Sequence, residues 1–117
     1  MGLDTGIDSK DGTEIIYWRK ANAIHRWFVE NVQEGVDECD EYEVTVEQLT
    51  KLRDLCNQVI ENQELAEELL PTQSGFFFGS TDYDEWYLEN ALKTRSCLDE
   101  LLSQCLGDET FIYWSSW

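Results

Sequence analysis

The segment from residue 69 to residue 85, LLPTQSGFFFGSTDYDE, restricts the fold of this chain more than any other part of it. It contains the only proline, Pro71, which cannot continue a helix and keeps the residue before it out of helical geometry. Gly75 and Gly79 flank three consecutive phenylalanines, so we expect turns around a short buried strand or an aromatic plug at 76–78. The segment therefore predicts a connector between two helices that also contributes to the core.

A new helix is expected to begin directly after this connector. Ser80 or Thr81 is expected to cap its first turn. Three carboxylates follow and suit the positive end of the helix dipole: Asp82, Asp84 and Glu85. The same carboxylates would repel a phosphate, and no phosphate-loop lysine follows the glycines. The connector is therefore predicted to be structural, and Gln73 and Ser74 are its expected exposed positions.

The N-terminal third is predicted to be a loosely ordered arm followed by a long helix. Residues 1–13 are rich in Gly and Asp and show no hydrophobic periodicity. From Glu14 to about Gln33 the apolar residues recur at helical spacing. His25 falls at the edge of the apolar face, where we interpret it as a hydrogen-bonded core residue rather than a catalytic base. The opposite face is expected to carry Arg19, Asn22, Arg26 and Glu30.

The remaining pattern predicts two more helices and two strands. Tyr42–Val44 alternates like a short strand, and a capping box at Thr45 starts a second helix whose apolar phase breaks near Asn62. A third helix is expected from 82 to 106, and the aromatic residues 110–117 are expected to form a terminal strand over the helices. Within the third helix, the cation expected to be buried is Arg95, with Asp99 or Asp84 as its partner.

These elements predict an α+β fold. We expect three main helices and a small antiparallel sheet of two or three short strands, and an all-α helical bundle if the aromatic runs are irregular. A chain of 117 residues fits a single domain, 1–117, with one hydrophobic core.

Acidic residues outnumber basic ones by 25 to 8, which gives a formal charge of −17. Such a charge disfavours direct binding to nucleic acid and favours encounter with a basic protein surface. Solubility alone is the simpler explanation of the same charge. The residues expected to bind a basic partner lie in two dense groups: Asp37, Glu38, Asp40, Glu41 and Glu43, and then Glu61, Glu64 and Glu68.

A second hypothesis is a small-ligand pocket between the first helix and the PTQSGFFFGS segment. Polar groups next to aromatic side chains motivate it. Its expected residues are Trp18, Arg19, His25, Gln73, Ser74 and Arg95. An enzyme is the weakest interpretation, because the chain has one histidine, no nucleophile elbow, no metal-ligand spacing and no phosphate loop. We therefore expect no catalytic residue, no metal and no cofactor.

The chain has no predicted membrane span or signal segment, so a cytoplasmic protein without a membrane partner is expected. The four cysteines lack metal-binding spacing and are interpreted as free thiols: Cys39, Cys56, Cys97 and Cys105. Both a monomer and a homo-oligomer are compatible with the sequence.

Three stretches resemble a family of short proteins encoded by bacteriophages and prophages. They are YWRKANAIHRWFVENVQ at 17–33, ELLPTQSGFFFGSTDYDEWYLE at 68–89 and the WSSW ending. The resemblance implies a phage origin and a shared fold, and it assigns no catalytic residue. Small acidic phage proteins often inhibit host defence or host enzymes. The resemblance therefore implies an anti-defence or similar inhibitor that acts in the host cytoplasm, with DNA mimicry as one route.

Overall fold

The structure is a computed structural model that describes residues 2–75 and 78–117. A four-stranded antiparallel sheet with the order β2-β1-β4-β3 forms its base. The strands are β1 (Asp4–Asp8), β2 (Glu14–Arg19), β3 (Glu41–Thr45) and β4 (Thr110–Ser116). The helices are α1 (Asn22–Asn31), α2 (Val46–Glu61), α3 (Ala66–Leu69) and α4 (Glu85–Ser103), with a 3₁₀ helix at Gln63–Leu65.

The fold is α+β, but the expected number of elements is wrong. The sheet has four strands rather than two or three, and the described residues form four α-helices rather than three. The all-α alternative is excluded by the same sheet. Four strands form because the N-terminal region supplies a hairpin that the periodicity of the sequence did not reveal.

The expected N-terminal arm is wrong for Asp4–Asp8, which form the inner strand β1. This strand pairs with β2 on one side and β4 on the other. Thr5, Gly6 and Ile7 are buried, as is Leu3 just before the strand. Glycine and aspartate have low strand propensity, yet backbone pairing on both edges and burial of Ile7 outweigh it.

The long helix expected from Glu14 to Gln33 is also wrong in its first half. Glu14–Arg19 form β2, and helix α1 begins only at Asn22. Ile16 and Trp18 face the core, whereas Tyr17 between them faces solvent, which is the two-residue period of a strand. The same apolar residues fit a helical stripe over a short window, and only the pairing with β1 distinguishes the two structures.

The core lies between one face of the sheet and the helices. Trp18 on β2, Tyr113 on β4 and Phe28 on α1 are fully buried, and the Phe28 and Tyr113 rings stack with centroids 3.8 Å apart. The Trp18 indole N–H donates to the Thr94 hydroxyl of α4 at 2.8 Å. The opposite face of the sheet carries the exposed side chains.

Three local predictions for the second half of the chain are confirmed. The capping box at Thr45 is present, α2 ends at Glu61, and Asn62 breaks the helix before the 3₁₀ turn. Strand β4 forms and pairs with β3, which is one of the two pairings that we expected for the C-terminal strand.

Two predictions about the third long helix are wrong. Its N-cap is Asp84, whose carboxylate accepts from the Tyr87 N–H, rather than Ser80 or Thr81. Arg95 hydrogen-bonds Asn57 of α2 rather than an aspartate, since Asp99 is taken by Arg53.

The expected strand or plug at 76–78 lies partly outside the described residues. Phe78 is described, and it is buried and lies outside every strand. Among the described residues, no helix has both the length and the apolar character that crossing a bilayer requires.

Candidate functional site

The first predicted acidic group lies around the edge strand β3. Glu41 and Glu43 are exposed on the strand, and Glu38 and Asp40 are exposed in the loop before it. Asp37 is different, because its carboxylate is partly buried and accepts a hydrogen bond from the His25 Nε2–H. The structure therefore leaves four of these five carboxylates on the surface.

The second predicted acidic group spans the bend after α2. Glu61 ends α2, Glu64 lies in the 3₁₀ helix and Glu68 lies in α3, and all three are exposed. None of them forms an ion pair with any residue from 2–75 or 78–117. The group is therefore free to meet a positively charged partner, although the bend prevents it from forming one continuous helical row.

The six residues of the predicted ligand pocket do not come together. Trp18 is fully buried, Arg19 lies on the open face of the sheet in an ion pair with Asp4, and Arg95 lies on α4 against α2. Ser74 is exposed. Only His25 and Gln73 meet, through opposite oxygens of the Asp37 carboxylate. The prediction failed because it placed Trp18 and Arg19 on a helix, whereas in a strand they point to opposite faces.

His25 is a buried structural residue, as expected. Its Nδ1 lies 2.7 Å from the Tyr113 hydroxyl, and its Nε2 lies 2.8 Å from Asp37 Oδ1. A carboxylate only accepts, so in the neutral ring Nε2 donates to Asp37 and Nδ1 accepts from Tyr113. Burial lowers the pKa of His25, although Asp37 opposes this shift, and burial raises the pKa of Tyr113. Both ring nitrogens are occupied, so neither is available to activate Ser74.

Asn22 fixes the connector segment to α1, a role that sequence reasoning missed. Its side-chain amide donates to the carbonyl oxygens of Phe78 at 3.1 Å and Ser80 at 2.8 Å, and its carbonyl accepts from the Gln73 N–H at 3.0 Å. The predicted helix had placed Asn22 on an exposed face. An asparagine on the polar face of a predicted helix has no sequence signal that distinguishes this role.

A cleft lies between the start of α1, the connector and α4. Its lining includes Lys20, Thr72, Trp86 and Asn90, and none of the six predicted pocket residues. The cleft encloses about 320 Å³ with its open mouth, but its interior holds only about one water molecule. In this conformation it is too narrow for a small organic ligand.

The open face of the sheet carries an aromatic pair on either side of a glycine. Tyr17 of β2, Gly6 of β1 and Trp114 of β4 lie opposite one another in adjacent strands. The Tyr17 and Trp114 rings stack with centroids 6.5 Å apart and an interplanar angle of 28°. A Cβ atom at Gly6 would lie only 2.6–2.7 Å from three indole atoms, so the indole lies directly over the glycine. Covering a strand glycine with an aromatic ring also stabilises the sheet.

Gly6→Ala is expected to lower the free energy of unfolding by about 1–3 kcal/mol, because the new methyl group overlaps the indole. Chemical denaturation measures this change. In a Trp114→Leu background the same substitution should cost much less, since alanine is better tolerated than glycine within a strand. An equal cost in both backgrounds would show that the indole is not the source of the destabilisation.

Carboxylates surround this aromatic pair. Asp8 accepts from the Trp114 indole N–H at 3.2 Å, and Asp4 accepts from the Tyr17 hydroxyl. The hydrogen bond from Tyr17 lowers the pKa of Asp4, with Arg19 contributing in the same direction. Glu41 lies directly beside Trp114 in the neighbouring strand. The open face therefore combines aromatic surface with negative charge.

Comparison with known proteins identifies no relative: no family model, curated protein or solved structure matches the chain. Within residues 2–75 and 78–117, no three His, Cys, Asp or Glu side chains converge to form a metal site. The surface and the buried network described above are therefore the basis for a functional proposal.

Proposed function

We propose that this protein is a non-enzymatic binding protein whose carboxylate-rich surface engages a basic surface of a host protein. The observation that carries the proposal is the excess of carboxylates that lack a positive partner. Of 25 acidic residues, most make no ion pair with a described residue. Exposed like charges repel one another, and a basic partner would relieve this repulsion on binding.

The buried polar network supports a non-enzymatic role. His25 is the only histidine, and it is fully buried with both nitrogens hydrogen-bonded. The Tyr113 hydroxyl beside it is also fully buried. A general base must reach the proton that it removes, and the His25 ring is fully buried among the described residues. The network therefore contributes to folding rather than to chemistry.

The resemblance to short phage proteins suggests the kind of host partner. A protein that handles nucleic acid presents a basic groove to the phosphate backbone. A folded surface rich in carboxylates can compete for such a groove as a DNA mimic. The proposed partner is therefore a host defence protein or another host protein that handles nucleic acid.

The proposal is tested by affinity capture from a bacterial lysate at low and high salt. Electrostatic association should weaken strongly with salt, because exposed charges are screened beyond about 10 Å at 0.1 M ionic strength. The triple variant Glu61→Lys, Glu64→Lys and Glu68→Lys should reduce capture of the partner at least about tenfold.

A control variant with the same net charge separates a specific surface from total charge. Glu89→Lys, Glu100→Lys and Asp108→Lys alter exposed carboxylates on and after α4. These three changes should weaken capture less than the changes at 61, 64 and 68. A partner whose capture is equal at both salt concentrations would contradict the proposal.

A further inference from the structure

A row of four residues crosses the open face of the sheet. Antiparallel pairing places Tyr17, Gly6, Trp114 and Glu41 side by side on strands β2, β1, β4 and β3. We call this row the Trp114 platform. Helices cover the other face of the sheet, where Trp18, Ile7 and Tyr113 are fully buried. The platform is thus the central part of the sheet face opposite this core.

The Trp114 ring is held in a fixed position on the platform. One face of the indole lies on Gly6, its N–H donates to Asp8, and the Tyr17 ring lies beside it with the ring centroids 6.5 Å apart. Trp114 is only partly buried, so part of the indole is open to solvent. A ring fixed in this way loses little conformational freedom when a ligand stacks on it.

Tyr17 already binds a cation. The Lys93 ammonium lies 6.0 Å from the centre of the Tyr17 ring and donates to the Tyr17 carbonyl. Tryptophan attracts cations more strongly than tyrosine, yet no described cation lies over Trp114. Within the platform, the Trp114 indole is therefore the ring that has no described cation over it.

Four carboxylates surround the indole. Glu41 lies beside Trp114 in the platform itself. Asp8 and Glu43 lie two residues along their strands on one side of the platform, and Asp4 lies two residues along on the other side. Asp4 and Glu43 bind the exposed cations Arg19 and Lys10, whereas Glu41 and Asp8 form no ion pair with a described residue. The sheet face therefore keeps negative charge next to a partly exposed indole.

We propose that the Trp114 platform binds an arginine side chain from a basic segment of the partner protein. The guanidinium would stack on the indole and donate hydrogen bonds to Glu41 and Asp8. Arginine fits better than lysine, because its planar group stacks on aromatic rings and binds carboxylates with two parallel hydrogen bonds. This proposal rests on the proposed function and adds the recognition surface and its ligand chemistry.

A nucleic-acid base is the competing ligand for an aromatic sheet face. Proteins that stack bases on such platforms also provide positive charge for the backbone phosphates. Here the surrounding side chains are mainly carboxylates and the whole chain carries a charge of −17. Charge complementarity therefore favours the guanidinium.

The test is a binding titration of the intact protein with a short glycine–arginine peptide at low salt. The same peptide with citrulline is the uncharged control, and its lysine version tests guanidinium specificity. NMR of the tryptophan indole N–H groups identifies which ring responds, with Trp114→Leu used for assignment. We expect the Trp114 signal to shift with the arginine peptide and to shift much less with citrulline.

Substitutions locate the bound peptide. Glu41→Gln should weaken binding about two- to fivefold, and Trp114→Leu should weaken it by a similar or larger factor. Glu67→Gln is the matched control, because Glu67 is exposed on α3 and forms no ion pair in the described structure. The Glu41 side chain is exposed and has no hydrogen bond to a described residue, so its variant remains informative if Trp114→Leu does not fold.

Each outcome bears on the proposal. No binding of the arginine peptide, equal binding of the citrulline or lysine peptide, or tighter binding of single-stranded DNA would overturn it. Binding that Glu41→Gln and Trp114→Leu leave unchanged would also overturn it. In that last case the proposed function could still hold. It would hold if affinity capture found a partner that binds less at high salt and less to the Glu61→Lys, Glu64→Lys and Glu68→Lys variant.

Discussion

Asn22→Ala is expected to lower the free energy of unfolding by about 2–4 kcal/mol and to release the connector from α1. Asn22 is almost fully buried and makes three hydrogen bonds to the backbone of the connector. Alanine makes none of these hydrogen bonds, so the Gln73 N–H and the Phe78 carbonyl lose their partners. Water can replace those partners only if the connector opens. Loss of a buried partner costs more than the hydrogen bond itself contributes.

Hydrogen exchange and chemical denaturation measure the two effects of Asn22→Ala. Exchange should accelerate from residue 72 to residue 82 before it does so in the sheet, because the connector opens locally. Asn31→Ala is the matched control, since Asn31 lies at the other end of the same helix and donates one partly buried hydrogen bond, to Trp27. Equal effects of the two substitutions would contradict the anchoring role of Asn22.

His25→Leu is expected to lower the free energy of unfolding by about 2–4 kcal/mol at pH 7.5. Leucine fills a similar volume but accepts no hydrogen bond, so the fully buried Tyr113 hydroxyl loses its acceptor. The edge contact of His25 with Phe78 and its stacking on Tyr113 are also lost. Adding Tyr113→Phe should recover part of the loss, because it removes the unsatisfied hydroxyl.

The cost of His25→Leu should become smaller as the pH falls below 6.5. Burial lowers the pKa of His25 in the fold below its usual value of 6.5, while the hydrogen bond to Asp37 partly offsets the shift. Below pH 6.5 the unfolded chain therefore binds a proton that the folded chain does not, which destabilises the native protein. The leucine variant has no such group, so the two free energies of unfolding approach each other.

Denaturant titrations of both proteins between pH 7.5 and 5.5 measure this convergence. Carboxylates other than Asp37 titrate alike in both proteins and cancel in the difference. Asp37 and Gln73 face the ring from the loop side and Tyr113 faces it from the sheet. A difference that stays constant or widens towards acidic pH would contradict a His25 that is neutral in the fold.

The sequence predicted the elements whose signals are local. The capping box at Thr45 fixes the start of α2 by two reciprocal hydrogen bonds within four residues, and the phase break at Asn62 fixes its end. The strand at Tyr42–Val44 follows from alternation alone. These patterns succeed because the stabilising contacts lie within a few residues of one another.

The N-terminal hairpin could not be predicted in the same way. Gly6 and Asp4 are poor strand residues, and β1 is a strand because β2 and β4 pair with both of its edges. The partner β4 lies more than 100 residues further along the chain. The apolar residues before α1 fit both a strand and a helix. Pairing with β1, which the local pattern does not show, makes them a strand.

The composition of the sequence determined the formal charge of −17 and, through it, the choice of a basic partner as the first hypothesis. Tertiary structure decided which carboxylates remain available: it partly buried Asp37 against His25 and left the exposed Glu41 beside the partly exposed Trp114 indole. It also placed Arg19 and Arg95 in separate parts of the fold, on the open face of the sheet and on α4 against α2, so the predicted pocket does not form. The physical reason is that charge is a sum over residues, whereas a binding surface depends on which residues distant strands bring into register.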